Sequence, residues 1–167
     1  REIITTLYTT HLGASISTIL AAFPSSLRSL LGTVDILSDD GLALAHAIED
    51  GTAVRASDGS VINTFDTLYG GSAATIQQQY SDTDAFSCYS PSPHSSQLCS
   101  LTTELYGFIT ATILIHTICI AHGLGDGIVT IYIDNREAGK RGTATDDYIN
   151  IGDYLHADHD ISLLLQH

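Results

Sequence analysis

Two apolar segments of different period, one directly after the other, constrain this chain most. Residues 108–121 (FITATILIHTICIA) are apolar apart from threonines and His116, and they continue a helical pattern that runs over residues 97–122. Gly123, Gly125 and Gly127 end that pattern. Residues 128–133 (IVTIYI) then read as a strand, β-branched and apolar throughout, of the kind buried on both faces of a sheet. A long helix leading straight into such a strand is a crossover, so the strand is expected to lie parallel to one that precedes the helix.

Three strands are available upstream. Residues 52–57 form the first, running into Asp58-Gly59-Ser60, residues 68–76 the second and residues 85–89 the third, with short turn signals between them. Short connections predict an antiparallel meander. Ser90-Pro91-Ser92-Pro93 excludes regular structure and delivers the chain to the helix. A loop, a short helix and a last helix over residues 148–167 are expected after Asp134-Asn135. The first fifty residues differ in character. Leu12, Ile16, Ile19 and Leu20 fall at helical spacing, Pro24-Ser25-Ser26 starts a second helix that stops at Gly32, and Ser38-Asp39-Asp40 caps a third. The expected organisation is therefore a helical preamble or connection segment over residues 1–51. A mixed α/β domain over residues 52–167 follows, with three antiparallel strands, a crossover helix and a parallel fourth strand.

The 167 residues fit one domain, and 44% hydrophobic against 15% charged residues excludes a disordered acidic tail. Six basic against 19 acidic residues give a net charge of −13, which argues against a self-sufficient nucleic-acid binder with a basic face. Cys88, Cys99 and Cys119 are an odd count with no CxxC pair, and free thiols in a reducing compartment are expected. No basic region followed by an apolar run marks a signal peptide, and the 14-residue apolar stretch falls short of a bilayer span. The expectation is an intracellular protein, cytoplasmic or nuclear, without a membrane partner. A sequence with no Met that starts at Arg1 and stops after Leu163-Leu164-Leu165-Gln166 reads as a piece of something longer.

Three acids stand out by position: Asp58 at the end of the first strand, Asp134 at the end of the fourth, and Glu104 two turns into the crossover helix. Parallel or adjacent strands would set Asp58 beside Asp134, with the helix bringing Glu104 to the same spot. Two readings stand at this point. Clustered carboxylates without a basic partner suit a hard cation, Mg²⁺ or Mn²⁺, and two such ions promote phosphodiester hydrolysis. Alternatively, each acid caps a strand or loop end. His156, Asp158, His159 and Asp160 read as the N-terminal polar turn of a helix, with no metal-binding spacing.

The set Asp58-Gly59-Ser60, Glu104-Leu105-Tyr106-Gly107 and Tyr132-Ile133-Asp134-Asn135 resembles the ribonuclease H fold. More narrowly, it is similar to the ribonuclease H-like domain that follows reverse transcriptase in retrotransposons and related retroelements. The resemblance spans residues 52–165 and implies Asp58, Glu104 and Asp134 as catalytic, metal-binding carboxylates. It further implies Gly59, Ser60 and Asn135 as substrate contacts, two Mg²⁺ or Mn²⁺ ions as cofactors, and an RNA–DNA hybrid as substrate. An adjacent or covalently linked polymerase domain is the implied partner. Thr102-Thr103 stand before Glu104 where the family has Arg-Ala. The family's fourth carboxylate and loop His follow a fifth strand, so the resemblance implies an incomplete, C-terminally truncated nuclease domain, for which an inactive fragment is one expectation. A non-catalytic retroelement remnant or interaction domain is the alternative, favoured by the scarcity of basic residues.

Overall fold

The structure, a computed structural model, describes residues 2–37, 39–64, 67–81, 85–91 and 99–132. In chain order these form α1 (Glu2–His11), α2 (Ile16–Ala22), α3 (Ser25–Leu31), β1 (Thr33–Asp35), α4 (Leu42–Glu49), β2 (Ala53–Thr64), β3 (Thr67–Gln78), β4 (Phe86–Pro91), α5 (Ser100–His122) and β5 (Val129–Tyr132). The five strands make one mixed sheet in the order β1-β4-β3-β2-β5. β2, β3 and β4 are the antiparallel meander, and α5 crosses over to set β5 parallel to β2, from Ala53↔Val129 to Ala56↔Tyr132.

Helix α5 organises the rest. It is apolar on every side, as a helix must be when both the sheet and other helices cover it. By length and composition alone it would also cross a membrane, yet most of it is buried within the fold. Its threonines cost little there, because Thr103, Thr110, Thr112 and Thr117 donate their hydroxyls to the carbonyls of Ser100, Gly107, Phe108 and Ile113. The helix stops at Gly123, whose φ of 71° lets its N–H reach the Cys119 carbonyl. None of Cys88, Cys99 and Cys119 forms a disulfide, and burial pushes the Cys88 thiol up.

One core runs through sheet, α5 and the N-terminal helices: Ile16, Ile19, Phe23, Leu44 and Ile48 belong to the same buried cluster as Ile76, Phe86, Leu105, Leu114 and Ile118. Residues of the expected preamble also enter the sheet itself. Thr33, Val34 and Asp35 pair antiparallel with Tyr89, Cys88 and Ser87, and Ser87 Oγ donates to Asp35 Oδ2 at 3.0 Å. A three-residue strand carries no periodicity of its own; it exists because β4 offers it an edge.

β5 also differs from the strand expected at residues 128–133. Among the described residues it lies at the edge of the sheet, and its residues are half-buried to exposed, Ile131 at 40%. A β-branched run fixes extended backbone but not the number of neighbours. The loop and helices expected after Asp134, and the cluster at residues 156–160, lie outside the described residues.

The N-terminal layer is tied to α5 by polar bonds as well as by packing. Asp39 accepts from the backbone N–H of Ala43 at 2.9 Å and of Gly41 at 3.0 Å, while Asp40 accepts from Ile16 N and its carbonyl meets His122 Nε2 at 2.8 Å. The Ala43 N–H, helped by that of Gly41, holds the Asp39 carboxyl below its ordinary value. Asp39→Ala is expected to lower stability by about 1 kcal/mol at neutral pH, as loss of a helix cap does. A depressed carboxylate stabilises above its unfolded pKa and loses that contribution as pH falls through the folded one. The difference between Asp39→Ala and the parent in urea unfolding should therefore shrink on acidification.

Candidate functional site

The site is built where α5 rests on β2. Side chains alternate along a strand, so Ala53, Arg55, Ser57 and Gly59 form the β2 face under α5, and Ala56, Asp58, Ser60 and Ile62 form the opposite face. Exposure follows this division: Ala56, Asp58, Ser60 and Ile62 are exposed, and Ala53 and Arg55 are buried. At Gly59 the helix comes so close that a Cβ would collide with the backbone of Thr103 and Glu104 and stand 2.6 Å from Thr103 Oγ1. One turn later the roles reverse. A Cβ on Gly107 would meet the carbonyls of Asp58 at 3.1 Å and Ala73 at 3.2 Å.

Asp58 therefore stands in the middle of β2, paired with Ala73, and not at a strand end as its Asp-Gly-Ser setting suggests. The ladder runs on through Gly59↔Ser72 and Ser60↔Gly71 to Thr64↔Thr67. Gly59 is needed for the close approach of α5, so the same tripeptide that signals a turn serves here as the seat of a helix. Glu104 is the fifth residue of α5, a turn earlier than the sequence pattern indicates, and is 3% exposed. The structure thus brings the backbone of Glu104 against the residue that follows Asp58, but on the face of β2 opposite the one that carries the Asp58 side chain, so Glu104 and Asp58 do not come to one spot as expected. Asp134 and Asn135 lie outside the described residues. Among the described residues no three His, Cys, Asp or Glu side chains converge.

Asp58 and Ser60 also line a shallow groove of about 310 Å³ on the open face of the sheet. Its floor is three strands wide and follows the register: Asp58, Ala73 and Tyr89 form one row, and Ser60, Gly71 and Pro91 the next. Small residues in the middle keep it open, and Tyr89, 56% exposed, forms its far wall. Among the described residues no Lys or Arg lines it.

A cation sits instead on the other face. Arg55, three residues before Asp58, is 3% exposed; its guanidinium lies 4.0 Å over the Phe108 ring and Nη1 donates to Thr112 Oγ1 at 2.8 Å. Nε has no hydrogen-bond partner, and no ion pair to Arg55 occurs among the described residues. Burial pushes the guanidinium down to about 10. Its folded pKa lies below its unfolded one, so charging it opposes folding at every pH under about 10. This opposition fades between there and the ordinary arginine value. The phase of the strand carried the signal, since Arg55 shares the core-facing side with Ala53, but an arginine alone says nothing about its partners.

Arg55→Met is expected to keep or raise stability, by up to about 2 kcal/mol, because it removes a buried charge while conserving volume. Thr112→Val, which leaves the guanidinium without its acceptor, should cost about 1–3 kcal/mol. In the Arg55→Met background Thr112→Val should cost almost nothing, and urea unfolding of the four proteins checks the cycle.

Compared with protein-family models, with curated proteins and with solved structures, the chain matches none.

Proposed function

We propose that this chain is a ribonuclease H-type domain in which Asp58, Glu104 and Asp134 hold divalent cations and hydrolyse the RNA strand of an RNA–DNA hybrid. The observation that carries the reading is the seating of α5 on Gly59, which sets Glu104 next to the strand of Asp58 in a sheet whose β5 runs parallel to β2. The last pair of that parallel ladder is Ala56↔Tyr132; Asp58 and Asp134 each stand two residues further along the sequence. Asp58 is exposed on an open face, reachable by a phosphate.

Asp58 and Glu104 are hard oxygen donors, but the phase of β2 sets them on opposite faces of the sheet, so sharing of the ions between them is the part of this reading that metal-binding measurements on each variant must test. Two bound Mg²⁺ or Mn²⁺ ions supply an activated water and charge at the leaving oxygen. The protein's part is to hold the carboxylates on rigid elements, a mid-strand position and a buried helix turn. Ser60, exposed one row from Asp58, is a substrate contact, as is Asn135; Gly59 acts by letting α5 approach. An adjacent polymerase domain would supply the basic surface that binding a hybrid requires, since this chain has six Lys and Arg against 19 Asp and Glu.

The net charge of −13 favours a second reading, a non-catalytic retroelement-derived interaction domain. Incubation of the chain with a labelled RNA–DNA hybrid in Mg²⁺ or Mn²⁺ separates the two. Cleavage of the RNA strand that chelation abolishes is the expected result. Cleavage indifferent to chelation overturns the metal mechanism, and an intact hybrid together with no Mn²⁺ binding by calorimetry overturns the nuclease reading.

A further inference from the structure

We draw no further inference here: the strongest candidate, the shallow groove that Asp58, Ser60, Ala73 and Tyr89 line on the open face of the sheet, belongs to the site already described, and nothing in the structure shows what covers the exposed tyrosine at its far wall.

Discussion

Gly59→Ala should lower the stability of this protein by about 3 kcal/mol, the upper end of what overpacking costs in a well-filled core. The methyl group would collide with main-chain atoms of Thr103 and Glu104, which no rotamer change can move aside. Either β2 bends away or α5 lifts, and α5 is the element on which both the sheet and the N-terminal helices pack. Two other glycines calibrate the effect. Gly107→Ala meets strand carbonyls at 3.1 Å and 3.2 Å, a tight but compressible contact, and a helical alanine recovers about 1 kcal/mol of propensity. Its net effect should stay within about 1 kcal/mol. Gly71→Ala finds its nearest neighbour at 3.5 Å and should be neutral or slightly stabilising, because alanine has less backbone freedom to lose within a strand. In thermal unfolding the first variant should melt about 6–12 °C below the parent and the other two close to it. A Gly59→Ala protein as stable as the parent would mean that α5 does not rest where the structure has it.

The same glycine shows where sequence reasoning stops. The meander, the crossover and the parallel pairing are legible because they follow from patterns spread over many residues: β-branched runs, short connections, and one long apolar helix between strands. A strand–turn decision at Asp58-Gly59-Ser60 rests on three residues whose local chemistry favours a turn, and it is reversed by a helix more than forty positions away in sequence. β1 is invisible for a related reason, since Thr33-Val34-Asp35 has neither length nor alternation and takes its conformation from β4. Thr103 is fully buried beside Gly59 with its hydroxyl donated to the Ser100 carbonyl. Asp58 and Glu104 fall on a strand and on the crossover helix, while Asp134 lies outside the described residues. Whether Asp58 meets Glu104 is not legible, because it depends on the phase of β2 under α5, and with Gly59 against the helix Asp58 points to the other face.

Asp58→Asn and Glu104→Gln should both abolish metal-dependent cleavage of the hybrid, yet differ in what else they change. Asp58 is exposed, and among the described residues no hydrogen bond or ion pair involves its carboxylate, so Asp58→Asn should alter unfolding by no more than about 0.5 kcal/mol. Glu104 is buried, so exchanging its carboxyl for an amide changes which of its polar atoms donate, and Glu104→Gln should shift stability by about 1–3 kcal/mol. Loss of groups that merely orient metal ligands costs about 10–100-fold in activity or affinity, so removal of a ligand charge should cost at least 100-fold in cleavage and weaken Mn²⁺ binding in parallel. Ser60→Ala is the contrasting case: it lies in the groove without being a metal ligand, so it should raise KM for the hybrid and leave Mn²⁺ affinity unchanged. The decisive combination is Asp58→Asn with undiminished stability. If that variant still binds Mn²⁺ and still cleaves, the acid only decorates an open sheet face, and the metal centre fails even though the fold around it stands. If it loses both, the carboxylate was held in the middle of a strand, opposite a helix seated on glycine, for its chemistry and not for the fold.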